Sequence, residues 1–212
     1  MECEKLFIIG DIHGCLGALE RLIEKIDWHP DREGLIFLGD YVDRGQQSKN
    51  VIDLIIALSE RSPHVQCLLG NHEDLFLEYL SGGDMDSYLY NGGGATLKSY
   101  RINGRVSVPA EHLSFLKSLK LFVELDDYYV VHAGLRPGVD IHKQDPKDLL
   151  WIREPFLYSD YQFGKIVIFG HTPFAVPLIE KYKIGLDTGA VFGNRLTCLE
   201  LPARKFHSVE GY

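Results

Sequence analysis

Leu6-Phe7-Ile8-Ile9-Gly10-Asp11-Ile12-His13-Gly14 runs from four apolar residues through a glycine to an acid and an imidazole two positions apart. The apolar run is too short for a helix and is closed by glycine, the pattern of a buried strand that ends in a polar loop. The pattern returns twice. Residues 35–38 lead into Gly39-Asp40-Tyr41-Val42-Asp43-Arg44-Gly45, and residues 65–69 lead into Gly70-Asn71-His72-Glu73. Helical spacing follows: Leu16, Leu19, Leu22, Ile23 and Ile26 after the first strand, then Val51, Ile52, Ile55, Ile56 and Leu58 after the second, with Ser48 as N-cap. Strands alternating with helices predict βαβ units with largely parallel strands, an α/β fold.

Working outward, residues 81–104 carry Gly82-Gly83 and Gly92-Gly93-Gly94 and read as an insertion of loops around a short helix near 96–100. Residues 109–119 predict a helix with Pro109 in its first turn. The second half turns to strands at 121–125, 128–131, 166–169, 176–180, 184–186 and 196–201, with a turn at Asp126-Asp127. Two of these end in the same kind of cluster, His132-Ala133-Gly134 and Gly170-His171-Thr172. An α/β first half and a β-rich second half predict two stacked sheets with helices outside.

The 212 residues suit one domain, residues 1–212. Hydrophobic residues at 45% and charged residues at 25% are ordinary for a globular chain, and no apolar run reaches the roughly 20 residues of a membrane span. Residues Met1 to Lys5 lack the basic and long apolar regions of a signal peptide, which places the protein in the cytoplasm. A formal charge of −8 disfavours nucleic acid as a partner. Cys3, Cys15, Cys67 and Cys198 lie far apart, without the C-x-x-C spacing of zinc or redox sites, and read as buried thiols. No heptad pattern suggests an oligomer, so a monomer is expected.

Taken singly, a Gly-Asp after a strand is a turn or a helix cap, and a lone histidine is more often a core or surface residue. Their joint occurrence changes this reading. His13, His72, His132 and His171, two Gly-Asp pairs and one Gly-Asn all fall at predicted strand ends, where an open α/β sheet binds its ligands. Carboxylate, imidazole and amide oxygen together suit manganese, iron or zinc, and the absence of cysteine from the clusters points to an open catalytic site.

The five clusters, in this order, resemble the metallophosphoesterase superfamily, specifically its phosphoprotein phosphatase branch, over Gly10 to Thr172. The resemblance implies a calcineurin-like fold, two mixed β-sheets in a sandwich flanked by helices. It implies two divalent metal ions, manganese foremost, with iron, zinc, nickel or magnesium as alternatives. Asp11 and His13 would hold the first ion, Asn71, His132 and His171 the second, and Asp40 both. Such a pair, roughly 3.5 to 4 Å apart, acidifies a water for in-line attack on phosphorus. Arg44 and Arg153 would grip phosphate oxygens. His72 would protonate the leaving oxygen, oriented by Asp43. Glu73 and Glu154 are read as non-ligands, Glu73 serving the dipole of the helix it opens.

Within this branch the intact Asp43-Arg44 pair favours a protein phosphatase acting on phosphoserine, phosphothreonine or phosphotyrosine. The alternative is a hydrolase of dinucleoside polyphosphates such as diadenosine tetraphosphate, and a third reading is a non-catalytic phosphate-binding module. The chain lacks the C-terminal stretch by which eukaryotic catalytic subunits lend a tyrosine to the site, which implies a compact, bacterial or phage-like enzyme.

Overall fold

The computed structural model describes residues 3–212. Met1 and Glu2, the first residues of the stretch that lacks signal-peptide character, lie outside the described residues. Strand β1 (Lys5–Ile9) runs parallel to β2 (Glu33–Phe37), and β2 parallel to β3 (Val65–Cys67). Helices α1 (Leu16–Ile26) and α2 (Ser48–Arg61) make the crossovers, and α3 (Asn71–Leu80) follows β3. The insertion forms two short helices, α4 (Met85–Tyr90) and α5 (Gly93–Ser99), then a hairpin of β4 (Arg101–Ile102) and β5 (Arg105–Val106). The helix expected over 109–119 forms as α6 (Ala110–Ser118), with Pro109 at its N-cap and not in its first turn.

The second half supplies β6 (Phe122–Glu124), β7 (Tyr128–Val131), α7 (Pro146–Trp151), α8 (Glu154–Leu157), β8 (Ile166–Phe169), β9 (Leu178–Ile179) and β10 (Lys183–Gly185). The chain then returns through β11 (Arg195–Leu201) and β12 (Lys205–Glu210) to the first sheet. The two main sheets are therefore mixed, in the orders β12-β11-β1-β2-β3 and β6-β7-β8-β10-β9.

Period-two alternation along each strand builds the sandwich. Leu6, Ile8, Ile36 and Leu38 face inward and pack with Val130, Ile168, Ile184 and Leu186 of the other sheet. Their neighbours Phe7, Ile9, Leu35 and Phe37 face outward, under Leu19, Leu22, Val51 and Ile55 of α1 and α2. Behind the second sheet, Val131, Val167 and Phe169 pack on Leu149, Ile152 and Phe156 of the α7–α8 segment. Among the described residues no helix is long and apolar enough to cross a membrane.

Four expectations shift. Ser48 is the first residue of α2 and does not cap it; its hydroxyl accepts from the Asp43 N–H at 3.1 Å. The strand expected over 176–180 shortens to Leu178–Ile179, and α4, α7, α8, the β4–β5 hairpin and β12 lie outside the elements the sequence predicts. Met85–Tyr90 carries one buried residue, Tyr88, too few for a helical period, and becomes a helix by capping on the Asp84 side chain and packing on α3. Of the cysteines, Cys15 and Cys198 are buried, whereas Cys3 and Cys67 are half-buried.

Candidate active site

The residues singled out by sequence follow the C-terminal ends of β1, β2, β3, β7 and β8, all parallel strands, and these ends converge at one edge of the sandwich. Asp11, His13, Asp40, Asn71, His72, His132 and His171 are all buried. Five of the eight non-glycine residues with positive φ among the described residues lie here: His13, Asp40, Asp43, Arg44 and His171. Left-handed backbone costs about 1–2 kcal/mol for such residues, so the surrounding packing holds the loops in a conformation they would not adopt alone.

Asp40 is central. Its Oδ2 lies 3.4 Å from Nε2 of His13 and its Oδ1 3.5 Å from Nε2 of His132, one imidazole to each side of one carboxylate. Burial works against its charge, but His132, His72 and His13 outweigh burial and hold its pKa below the usual carboxylate range. Nδ1 of His13 donates to the Val42 carbonyl and Nδ1 of His132 to the Leu38 carbonyl, each at 2.8 Å. A carbonyl only accepts, so each neutral ring must turn a lone pair on Nε2 into the site. Burial keeps them neutral, lowering the pKa of His132 and taking that of His13 to about 3.

The lone pair of His132 meets another acceptor. Nε2 of His132 is 2.9 Å from Oδ1 of Asn71, an oxygen that also accepts from Nδ1 of His171 at 2.8 Å. Asp11 accepts from the His171 N–H through Oδ2 at 2.9 Å, but its buried Oδ1 has no hydrogen-bond partner among the described residues. A Cβ on Gly170 would collide with that Oδ1, so glycine is required where the two loops touch. Acceptors facing acceptors, with an orphaned carboxylate oxygen beside them, fit divalent cations. His13, Asp40 and His72 form one group whose donor atoms could share an ion, and Asp40, His132 and His171 form another.

His72 differs from the other imidazoles. Its Nδ1 is 2.8 Å from Oδ2 of Asp43, which is itself fully buried. Although burial lowers its pKa, Asp40 and the hydrogen-bonded Asp43 outweigh burial and raise it. Oδ1 of Asp43 accepts from Tyr88 Oη at 2.8 Å and Thr96 Oγ1 at 2.6 Å. Tyr88 belongs to α4 and Thr96 to α5, so the insertion orients the Asp43–His72 pair. Tyr88 and Tyr100 are core residues, and Tyr90 is exposed.

Two arginines reach the site from opposite loops. Nη1 of Arg44 donates to Nε2 of His13 at 2.5 Å, and Nε of Arg153 donates to Nε2 of His171 at 3.1 Å. Glu154 is exposed and stands apart. Glu73 is buried and belongs to neither candidate metal group, and it does more than serve a helix dipole. Its two carboxylate oxygens accept from the N–H groups of Asp40, Tyr41, Val42 and Gly70 at 2.7–3.1 Å, tying the β2 loop to the β3 loop. Burial and the field of Asp40 push its pKa up, while the N–H donors of Val42 and Asp40 pull it back toward the charged form.

Asp187, just beyond β10, was not assigned to the site. It is buried, accepts from the Gly189 N–H at 2.9 Å and has its pKa raised to about 6, by burial and by the field of Asp40. The same field from Asp187 adds to burial in raising Asp11. A signal was available, since Ile184-Gly185-Leu186 leading into Asp187-Thr188-Gly189 repeats the strand-then-polar-glycine pattern of the other clusters.

This constellation on this sandwich can be compared with known proteins. The pattern of the calcineurin-like phosphoesterase family matches residues 4–200. The chain belongs to that family. A bis(5'-nucleosyl)-tetraphosphatase PrpE [asymmetrical] from Bacillus thuringiensis (strain Al Hakam) is 29% identical over 97% of this chain and 94% of its own length. A PrpE of the same description from Oceanobacillus iheyensis is 28% identical over 97% and 92%. Among solved structures, a candidate diadenosine tetraphosphatase matches at a TM-score of 0.79, with 24% identity over 98% of this chain and 94% of that one. A protein serine/threonine phosphatase from Saccharomyces cerevisiae, similar to human phosphatase PP5, matches at 0.69 with 17% identity over 100% and 81%. The chain is thus a hydrolase of a metal-binding family, with buried histidines and aspartates grouped closely enough to share an ion, and the two structures bear on its fold alone.

Proposed function

We propose that this phosphoesterase hydrolyses dinucleoside tetraphosphates asymmetrically, to a nucleoside monophosphate and a nucleoside triphosphate. The observation that carries the substrate is the end-to-end match to relatives named for that activity, over 97% of this chain and 94% of one of theirs. This reverses the preference for a protein phosphatase that rested on the Asp43-Arg44 pair. Asp43 bears on the substrate only through His72, because its carboxylate is engaged by Tyr88, Thr96 and His72 within the protein.

In this reading Asp11 and His13 hold one divalent ion, Asn71, His132 and His171 a second, and Asp40 both. Manganese is the first choice, ahead of iron, zinc, nickel and magnesium. When bound, such ions polarise phosphate oxygens and make a water nucleophilic at neutral pH. The protein supplies the rest. Carbonyls of Val42 and Leu38 fix the ring orientations of His13 and His132. Arg44 and Arg153 lie one against each imidazole flank and can bind non-bridging oxygens on either side of the scissile phosphorus as charge builds there. His72, held by Asp43, gives a proton to the departing oxygen.

Removal of metal by EDTA is expected to abolish turnover, and added manganese to restore it, followed as monophosphate release by chromatography. Retained activity after complete metal removal, checked by elemental analysis, would overturn the reading. The deciding comparison is turnover of diadenosine tetraphosphate against phosphoserine, phosphothreonine and phosphotyrosine peptides; a preference for peptides by orders of magnitude would reject the dinucleotide.

One observation favours a second reading. The buried Asp43–His72 pair suits an alkoxide leaving group, as in phosphoserine, better than a polyphosphate, whose departure depends less on a proton. His72→Asn is expected to lower kcat by about 100-fold or more on an alkyl phosphate and by far less on an aryl phosphate. Equal losses on both esters would remove the acid role.

A further inference from the structure

Phe192 is a large apolar side chain with no place in the core. It sits in the 3-10 turn Ala190–Phe192 between Gly189 and Gly193, both left-handed, and is 64% exposed. Its neighbour Val191 packs against the hydrophobic core, whereas Phe192 does not. Its ring instead faces the active site, with the Arg44 guanidinium carbon 5.4 Å from the ring centroid. Arg44 in turn reaches Nε2 of His13. The turn is tied to the same centre from below, because the Gly189 N–H donates to the buried carboxylate of Asp187 at 2.9 Å. An aromatic face is therefore held at the rim, within one side chain of a phosphate-binding arginine.

An exposed phenylalanine gains little stability where it stands, and its flat face beside a cation is suited to a planar, electron-rich ring joined to a phosphate. We infer that Phe192 is a stacking platform for one nucleobase of the substrate while Arg44 grips the phosphate chain that base carries. It is thus a specificity-determining residue and takes no part in the chemistry. This inference rests on the dinucleotide reading. A phosphotyrosine ring could meet the same surface, but a base joined through a ribose and several phosphates can lie at the rim while its scissile phosphorus reaches the buried ligands, whereas a tyrosine ring is bonded directly to its single phosphate.

The test is calorimetric binding to the manganese-loaded enzyme, with a nonhydrolysable methylene-bridged analogue of diadenosine tetraphosphate and with inorganic tripolyphosphate, which has phosphates and no base. Phe192→Ala is expected to raise Kd for the analogue about tenfold and leave Kd for tripolyphosphate within twofold, and Phe192→Trp to restore analogue binding. An unchanged Kd for the analogue, parallel losses for both ligands, no rescue by tryptophan, or a loss confined to phosphotyrosine peptides would each overturn the platform. Failure of the dinucleotide reading is separable: wild-type turnover would then favour phosphopeptides, whatever Phe192→Ala does to analogue binding. Because Phe192 lies outside the core, the variant is expected to melt within a few degrees of wild type.

Discussion

Asp40→Ala is expected to lower turnover by at least about 1,000-fold and to strip the protein of most of its bound metal. The reason is its position. One carboxylate lies between His13 and His132, at 3.4 and 3.5 Å, and also accepts from the N–H of His72 at 3.1 Å. Without it, buried imidazoles would face one another with no anion between them, and both candidate metal groups would lose their shared member. Elemental analysis of metal per chain, with steady-state turnover on the same preparation, measures both effects. An Asp40→Ala protein that keeps two metals per chain and loses less than tenfold in kcat would remove Asp40 from the shared position. Loss of metal with an unchanged melting temperature before metal loading would separate a ligand role from a structural one.

Glu73→Ala is expected to cost about 3 kcal/mol or more and to lower Tm by roughly 10 °C. Four buried backbone N–H groups converge on its carboxylate, from Asp40, Tyr41, Val42 and Gly70, and alanine leaves them without an acceptor. Activity should fall with stability, because three of those donors belong to the loop that carries Asp40. Glu73→Gln separates shape from charge: the amide keeps one acceptor oxygen but turns an NH2 toward donors, so most of the loss should persist. Thermal melting of both variants, followed by circular dichroism, provides the check; a Glu73→Gln protein as stable as wild type would show that the carboxylate is not the anchor of these loops.

The strand-end clusters were legible because their signal is local. A buried parallel strand must be a short apolar run, and the loop beyond it needs glycine for close approach, so Gly10-Asp11, Gly39-Asp40 and Gly70-Asn71 announce themselves within a few residues. Asp43 shows where local reading runs out. The oxygens that orient Asp43 come from Tyr88 and Thr96, 45 and 53 residues away, and no periodicity near Asp43 records them. Strand β12 was missed because Lys205-Phe206-His207-Ser208-Val209-Glu210 is polar at most positions and is held by pairing with β11. The choice of substrate is not legible in Asp43 for a related reason: in the fold its carboxylate is occupied by Tyr88, Thr96 and His72.

From its sequence alone this protein had its α/β class, its crossover helices and the residues of one convergent site, because burial and chain geometry impose short-range patterns on the amino acids. Tertiary structure alone decided which donors face which acceptors. It made Glu73 the tie between two loops, brought Asp187 into the electrostatic reach of Asp11, held five site residues in left-handed conformations and turned Phe192 toward Arg44. These depend on hydrogen bonds and packing between segments tens of residues apart, whose free energy exists only once the two sheets have closed on each other.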